Sequence, residues 1–290
     1  MTDAEQENPG YGFSDDELIA LPTVYADDLF AGKTVIVSGA GSGLGKAAAV
    51  LFARLGADLA ICGRNPERLD AVRALLEGLG GKVFARAMTI RDADQVNEFM
   101  QAVWAEMGSV DVLVNNAGGQ FPQAALDFTV KGWNAVVDTN LNGTWYMMQT
   151  AARRWRDSGS RGNIVNMVAD IWRGMPGIAH TCAARAGVIY LSKTVAVEWA
   201  PLDIRVNCVA PGCVETAAFG QYPPEGIASY YQSNPMLRAG DAHDVAEACV
   251  YLAANSAKFI NGEVLTVDGG QQMWGDPWAT GRPDYFKLDG

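Results

Sequence analysis

Short apolar runs alternate along the chain with longer segments in which apolar residues recur at every third or fourth position. The short runs are continuously apolar rather than alternately apolar and polar, as strands covered on both faces are. Seven such runs can be identified: Thr34–Val37, Leu59–Cys62, Val83–Ala87, Asp111–Val114, Ile164–Met167, Ile204–Val209 and Val264–Val267. The pattern predicts that these runs are the buried strands of a parallel sheet.

The longer segments between these runs predict helices. Asn65 and Pro66 are typical of a helix start, because an Asn side chain caps free N–H groups and Pro fits the first helical position. Asp92 marks a second start, followed by an apolar stripe at helical spacing. Alternating strands and helices predict an α/β fold, a doubly wound parallel sheet of the Rossmann type with about seven strands. Ligands of such sheets bind beyond the carboxyl ends of the strands.

The chain of 290 residues shows no Pro/Ser-rich linker, charge block or repeat that would divide it. We expect one domain over residues 31–270, preceded by an acidic, weakly periodic arm over residues 1–30. Residues 271–290 form an aromatic, loop-like tail. The tail packs on a neighbouring subunit, lines the substrate mouth, or lies on its own surface.

Composition narrows the classes of function. The formal net charge of −11 argues against a nucleic-acid partner. The chain has no apolar run as long as a membrane span, roughly 18 residues, and it begins without the features of a signal peptide. Five cysteines without a C-x-x-C pair predict buried thiols in a reducing cytosol. With only His180 and His243 as imidazoles, we expect no metal site, and we expect a cytoplasmic protein.

A glycine-rich turn, Ser38-Gly-Ala-Gly-Ser-Gly-Leu-Gly45, follows the first predicted strand and leads into a predicted helix over Lys46–Leu55. Its glycines allow a tight turn and let backbone N–H groups reach a pyrophosphate at the helix N-terminus. Gly63 and Arg64 follow the second predicted strand, where an NAD site would place a carboxylate. The planar fork of donors on Arg64 suits a 2′-phosphate, so NADP is the expected cofactor unless Arg64 is only a solvated loop residue.

Further motifs follow in order along the chain: Asn115-Asn-Ala-Gly118, Thr139-Asn-Leu-Asn-Gly143, Pro211-Gly212 with Val214 and Thr216, and Asp268-Gly-Gly270. Together with the glycine spacing G-x-x-x-G-x-G, they resemble the short-chain dehydrogenase/reductase family over roughly residues 31–270. The resemblance implies an adenosine pocket at Asn115–Gly118, an active-site asparagine at Asn140, and a loop after Pro211 that holds the nicotinamide carboxamide. The expected cofactor-binding residues are Ser38, Gly39, Ser42, Gly43, Leu44, Gly45, Arg64, Thr89, Ile90, Asn115, Ala117, Gly118, Arg185, Pro211, Gly212, Val214 and Thr216.

The chain departs from this family where the family's catalytic Ser, Tyr and Lys are expected. Val168 and Ala169 follow the fifth predicted strand in place of the serine, Thr181 replaces the tyrosine, and Arg185 replaces the lysine. A threonine hydroxyl is far less acidic than a phenol, whose reference pKa is about 10, and arginine stays protonated. Arg185 can therefore replace the lysine's charge and ribose contacts, but it cannot readily lower the pKa of a proton donor that is absent.

The catalytic candidates are accordingly Asn140, Thr181, Arg185, Asp170 and His180. His180 precedes the helix that carries Thr181, and we expect it to be a cap, a wall residue or a proton-transfer group. Asp170 and Trp172 follow the fifth strand and are expected to face the substrate. The nearby Tyr190-Leu-Ser-Lys193 is not a displaced catalytic pair, because Tyr190 lies about 140° around the helix from Arg185.

The segments Asn116–Phe121, Thr139–Tyr146 and His180–Val188 are similar to those of peroxisomal trans-2-enoyl-CoA reductases, with 2,4-dienoyl-CoA reductases as near relatives. That resemblance implies hydride addition to the β-carbon of a conjugated C=C bond, with enolate charge developing on the thioester oxygen. Thr181 and Asn140 are donors of the type that such an oxygen needs. The chain ends Lys-Leu-Asp-Gly290, without a peroxisomal Ser-Lys-Leu address, as expected of a bacterial or cytosolic relative.

Three functions remain open: an NADPH-dependent enoyl-thioester reductase, whose small-molecule substrate is an acyl-CoA or another acyl thioester; a ketone reductase or alcohol dehydrogenase with a substitute acid; and a cofactor-binding protein without turnover. The substitute acid would be Asp170, His180 or a water held by Thr181. We also expect a homotetramer, or at least a dimer. The family resemblance implies it, and apolar residues of the helix over residues 184–200 exceed what one buried face needs: Val188, Leu191, Val195 and Trp199.

Overall fold

The computed structural model describes residues 10–274, 278–281 and 284. In this part of the chain, seven parallel strands form one sheet in the order β3-β2-β1-β4-β5-β6-β7. Their bounds are β1 Thr34–Ser38, β2 Asp58–Gly63, β3 Val83–Ala87, β4 Val112–Asn115, β5 Gly162–Met167, β6 Ile204–Pro211 and β7 Val264–Val267. The predicted doubly wound parallel sheet is confirmed, with strand ends that differ from the predicted ones by at most two residues.

Helices connect the strands and cover both faces of the sheet. Their bounds are α1 Asp15–Ala20, α2 Gly43–Arg54, α3 Pro66–Gly78, α4 Ala93–Met107, α5 Val130–Val137, α6 Thr144–Ser158, α7 Ala179–Glu198, α8 Pro224–Tyr231, α9 Ala242–Ala253 and α10 Gln271–Trp274. The predicted caps are present, since Asn65 accepts from the Arg68 N–H and Asp92 accepts from the N–H groups of Asp94 and Gln95. The helix predicted to begin at Lys46 begins at Gly43, inside the glycine-rich turn.

The two faces of β1 show why its sequence is apolar at every position. Val35 and Val37 pack into a core cluster with α2 and α9, whereas Ile36 packs into a second cluster with α4 and α6. A strand buried on both faces has no solvent side on which a polar residue is favoured. The sheet and its covering helices therefore form a rigid base for the loops at its carboxyl edge.

The described parts of the N-terminal arm and of the tail contact this base. In the N-terminal arm, Leu18 and Phe30 are buried, and the Arg54 guanidinium donates to the carbonyl oxygens of Leu18 at 3.1 Å and Leu21 at 2.6 Å. In the tail, Ala279 is fully buried, and a Cβ on Gly226 of α8 would lie 3.2 Å from its carbonyl oxygen. Residues 278–281 thus pack on their own chain, whereas the side chains of Met273 and Trp274 are exposed. Residues 1–9 of the arm, and Tyr285 and Phe286 of the tail, lie outside the described residues.

No helix among the described residues is both long enough and apolar enough to span a membrane.

Candidate active site

A cavity of about 960 Å³ lies at the carboxyl edge of the sheet. This volume is near the upper end of the usual range for ligand pockets, roughly 300–1,000 Å³. Most of the predicted cofactor-binding residues line it: Gly39, Ser42, Gly43, Leu44, Arg64, Thr89, Ile90, Ala117, Gly118, Arg185, Pro211, Gly212, Val214 and Thr216. Of the predicted catalytic residues, Asn140, Thr181 and Arg185 line the cavity, whereas Asp170 and His180 do not.

The glycine-rich turn has the backbone shape of an anion site. Gly39 has a φ of +69°, and a Cβ there would lie 2.8 Å from the Cα of Ala117, so the position accommodates only glycine. The Ser42 side chain caps no N–H group of α2. The Ser42 carbonyl oxygen accepts a hydrogen bond from the Lys46 N–H at 3.2 Å. The N–H groups at the beginning of α2 lie at the cavity wall, where they fit the pyrophosphate of a dinucleotide.

The cavity wall beyond β2 carries two arginines. Arg64 and Arg68 both line it, and so does Glu67. The sequence argument identified Arg64 but missed Arg68, which the helix start at Pro66 brings back toward the glycine-rich turn. A Cβ on Gly41 would lie 3.4 Å from the Arg68 Cβ, so the arginine stem packs against this turn. The four-residue spacing of two arginines at a predicted helix start was the available signal.

Three predicted cofactor residues lie behind the cavity wall and support it. The Ser38 hydroxyl oxygen accepts from the N–H groups of Asn116 at 3.1 Å and Ala117 at 3.0 Å, which fixes the end of β4 beside that of β1. A Cβ on Gly45 would overlap the Asn116 side-chain amide and the Gly39 backbone. Asn115 donates to Asn166 on the neighbouring strand at 2.8 Å. The structure therefore gives these residues positions in the support of the turn rather than on the cavity surface.

Asn140 lies in a π-helical turn, Asp138–Gly143, between α5 and α6. Such turns are frequent at functional sites because they redirect one side chain within a helix. Asn140 is fully buried; its Oδ1 accepts from the Gly119 N–H at 2.9 Å, and its Nδ2 donates to the Gly119 carbonyl at 3.0 Å and to Thr181 Oγ1 at 3.3 Å. Because the Thr181 oxygen accepts this bond, its own hydrogen is available to donate into the cavity.

Arg185 lies one turn beyond Thr181 on α7 and is 7% exposed. One guanidinium nitrogen donates to the Met167 carbonyl at 2.8 Å. A Cβ at residue 118 would overlap the guanidinium, so Gly118 leaves the space that it occupies. Burial lowers the pKa of Arg185 to about 10, which leaves it a cation at neutral pH. Among the ion pairs of the described residues none involves Arg185, so this cation faces the cavity without a protein carboxylate.

His180 lies behind Thr181 in an aromatic environment. Its ring centroid is 4.7 Å from that of Phe121 and 4.4 Å from that of Phe128, and the residue is fully buried. Its Nδ1 accepts from the Thr181 N–H at 2.8 Å. Burial lowers the pKa of His180, so the ring is neutral at pH 7. The geometry makes His180 a neighbour that orients the first turn of α7.

Asp170 is buried beneath the loop that follows β6. Its backbone N–H donates to the Pro211 carbonyl at 2.8 Å. Burial raises the pKa of its carboxyl to about 6, and the carboxylate of Asp268 acts in the same direction, whereas the Trp172 N–H and the Gln271 side chain act against it. Val168 and Ala169, which precede it, do line the cavity, so the wall carries no hydroxyl at this point.

Sequence reasoning missed a group of cavity residues on the segment that follows β6. Tyr222 and Tyr230 line the cavity together with Cys213 and Phe219, and Gln120 joins them from the loop after β4. The Gln120 side-chain Nε2 donates to the Tyr222 hydroxyl oxygen at 2.6 Å. The density of tyrosines in this segment was a signal, but no motif links them to the site.

Comparison with known proteins gives consistent similarities. A family model described as enoyl-(acyl carrier protein) reductase matches residues 39–272. A Bacillus subtilis protein named probable 2,4-dienoyl-CoA reductase is 36% identical over 251 residues, which cover 85% of this chain and 98% of that protein. The 3-oxoacyl-(acyl-carrier-protein) reductase FabG of Thermotoga maritima is 36% identical, over 82% of this chain and 97% of its own length. The crystal structure of a short chain dehydrogenase from Bacillus anthracis has a TM-score of 0.77 at 38% identity, over 83% of this chain and 97% of that one.

Proposed function

The chain belongs to the short-chain dehydrogenase/reductase family, and we infer that this oxidoreductase reduces the conjugated C=C bond of an enoyl thioester with NADPH. The observation that carries the inference is the pair formed by Asn140 and Thr181 at the position where the family's catalytic tyrosine is expected. This pair provides a fixed hydroxyl donor and no acidic phenol. A donor of this kind suits an oxygen that gains negative charge without being protonated.

Family members use a nicotinamide cofactor, and when bound it supplies the hydride. The preference for NADP is part of our proposal and is supported by Arg64 and Arg68 at the cavity wall beyond β2. A 2′-phosphate would receive charge-assisted hydrogen bonds from these guanidinium groups. Glu67 lies in the same wall and would disfavour the additional negative charge, so the test is a direct comparison of the two cofactors.

The chain's own residues then have separate tasks. Thr181 donates its hydroxyl hydrogen to the thioester oxygen, and Asn140 holds that hydroxyl in place through the bond at 3.3 Å. Arg185 stabilises the developing negative charge and binds ribose hydroxyls, because its guanidinium is a buried cation at the cavity surface. Met175 and Ile178 line the substrate side and exclude water, which strengthens these electrostatic interactions. The acyl carrier in this proposal is CoA.

A ketone reductase is the second candidate, because relatives at similar identity include 3-oxoacyl-(acyl-carrier-protein) reductases. The chain lacks the serine, tyrosine and lysine that such chemistry uses in the family, and Asp170 and His180 do not line the cavity. The absorbance of NADPH would be followed with crotonyl-CoA, acetoacetyl-CoA and cyclohexanone as separate substrates. Consumption with crotonyl-CoA alone supports the proposal. Consumption with the two ketones alone favours the second candidate, and cofactor binding without turnover on any of the three favours a non-catalytic role.

A homotetramer, or at least a dimer, belongs to the same proposal. In the structure, residues of α7 other than those named from the sequence support it. Val188 and Val195 are buried within the chain, and Leu191 and Trp199 pack against the same cluster as Val195. These residues therefore do not argue for a second subunit. Tyr190, at 72% exposure, and Val197, at 76%, remain on the solvent side of α7 and are available to one. Light scattering that gives the monomer mass of 31.0 kDa at micromolar concentration would contradict the assembly. A cytoplasmic location completes the proposal and is tested by cell fractionation.

A further inference from the structure

The reduction of a conjugated C=C bond needs a proton as well as a hydride. After the hydride adds to the β-carbon, the α-carbon of the enolate must be protonated. Thr181 is unsuited to this task, because an aliphatic hydroxyl is far less acidic than a phenol, whose reference pKa is about 10. His180 and Asp170 lie outside the cavity wall. The proton donor should therefore be another acidic group that reaches the cavity.

Tyr222 has the required position. It lines the cavity and is only partly buried. Gln120, its hydrogen-bond partner at 2.6 Å, directly follows Gly119, whose backbone is bonded at both N–H and C=O to Asn140. On its other side Tyr222 packs against a cluster that contains Cys213, which follows Gly212 in the loop expected at the nicotinamide. The phenol thus lies at the catalytic end of the cavity and not at its adenosine end.

The Gln120 amide prepares the Tyr222 hydroxyl for donation. The phenol oxygen accepts the Gln120 N–H, and this N–H together with the hydrogen bond to Tyr230 would stabilise the phenolate that remains after donation. Burial raises the pKa of Tyr222, so the group is protonated at neutral pH, as a donor must be. Two neighbouring groups serve less well: Tyr230 is 4% exposed, and burial raises the pKa of the Cys213 thiol to about 12.

We propose that Tyr222 is the general acid that protonates the α-carbon, an assignment that rests on the function proposed above. The hydride forms the new C–H bond at the β-carbon, and the π electrons of the C=C bond move into the enolate. The enolate electron pair then takes the Tyr222 proton and forms the second C–H bond, while the O–H electron pair stays on the phenolate. Gln120 holds the phenolate until a solvent proton restores it.

The test compares Tyr222→Phe with Tyr231→Phe in the full-length protein. Tyr231 ends α8, lies outside the cavity wall, and donates to Glu215 at 2.8 Å, so its variant also loses one phenol hydroxyl in the same region. Crotonyl-CoA is reduced in deuterated water, and both kcat and the configuration of the deuterium at the α-carbon of the product are measured. We expect Tyr222→Phe to lose roughly 10²–10³ in kcat, with KM and the Kd of NADPH nearly unchanged. Any residual product should be deuterated on both faces, whereas the wild type and Tyr231→Phe deuterate one.

A second variant, Gln120→Met, keeps the side-chain length and removes the N–H donor. We expect a smaller loss of kcat than for Tyr222→Phe, with a larger solvent isotope effect on kcat. If Tyr222→Phe does not fold, Gln120→Met tests the role of Tyr222 in its place. An active wild type with Tyr222→Phe at full rate and unchanged stereochemistry overturns the assignment and leaves the proposed function standing. Full rate and an unchanged isotope effect in Gln120→Met would also count against it. A wild type that leaves crotonyl-CoA unreduced overturns both proposals.

Discussion

Replacement of Thr181 by valine separates the catalytic role of the hydroxyl from its role in stability. Valine keeps the shape of the side chain and removes one polar group that is 1% exposed. The hydrogen bond that is lost, from Asn140 Nδ2, is long at 3.3 Å, and Asn140 keeps both bonds to Gly119. Because one N–H of the fully buried Asn140 Nδ2 loses its acceptor, we expect the free energy of unfolding to fall by about 1–2 kcal/mol.

The effect on catalysis should be larger. Loss of one donor to an oxyanion lowers kcat by roughly 10²–10³, which corresponds to about 2.7–4 kcal/mol in the activation barrier. The activation barrier should thus rise by more than the free energy of unfolding falls. The Kd of NADPH should barely change, because valine fills the same volume beside the cofactor space.

Three measurements test this expectation: kcat on crotonyl-CoA, the Kd of NADPH from its fluorescence, and urea unfolding. Thr181→Ser restores the hydroxyl and should recover most of the rate. Thr194→Val is the matched control, since Thr194 lies on α7 outside the cavity and its hydroxyl donates to the Tyr190 carbonyl at 2.9 Å. A Thr181→Val protein with the wild-type kcat would refute the role that we assign to the hydroxyl.

Three further predictions concern single side chains. The wild type should bind NADPH at least about tenfold more tightly than NADH, a difference in binding free energy of about 1.4 kcal/mol. Arg64→Ala should remove most of this preference. Equal dissociation constants of the two cofactors in the wild type would contradict the prediction. Arg185→Ala should weaken NADPH binding and lower kcat together, with partial recovery in Arg185→Lys, and a change confined to one parameter would count against a shared role. Asp170 has a pKa raised to about 6 in the folded state, above its unfolded value, so its contribution to stability is complete below the unfolded pKa and is lost as the pH rises through 6. Asp170→Asn should therefore raise the free energy of unfolding by on the order of 1–2 kcal/mol at about pH 8 and leave it nearly unchanged at about pH 4, as urea titrations at the two pH values would measure.

The alternation of strands and helices and the position of the cavity could be predicted because they follow from local patterns. A strand such as β1 is buried on both faces, so its apolar run is continuous, and helix caps such as Asn65 and Asp92 are visible at fixed positions. The carboxyl edge of a parallel sheet then brings the following loops together. This reasoning gave Asn140, Thr181 and Arg185 as neighbours, and the structure brings them together in one wall.

The remaining features depend on side-chain direction and on contacts between distant segments. His180 and Thr181 are adjacent in the sequence, yet Thr181 faces the cavity and His180 packs between Phe121 and Phe128. Asp170 follows β5 as expected, but its side chain is buried beside Asp268. No local pattern fixes these directions, because each depends on what packs behind the loop.

The aromatic part of the site could not be predicted, because its residues are far apart along the chain. Gln120 and Tyr222 are separated by 102 residues, and their hydrogen bond depends on how the segment after β6 folds across the cavity. Similarly, Arg68 joins Arg64 only because α3 begins at Pro66 and returns its first turn toward the glycine-rich turn. Such contacts are set by the tertiary packing of loops, on which sequence periodicity carries no information.

The central claim is that hydride is delivered to the β-carbon of a conjugated thioester. The most direct measurement supplies NADPH deuterated at the transferred position of C4, together with crotonyl-CoA and the full-length protein, and locates the deuterium in the product by mass spectrometry and NMR. The account predicts butyryl-CoA with one deuterium at the β-carbon, formed in one-to-one ratio with the NADPH consumed. Unchanged crotonyl-CoA, in a preparation that transfers the deuterium to the carbonyl carbon of acetoacetyl-CoA, would contradict it.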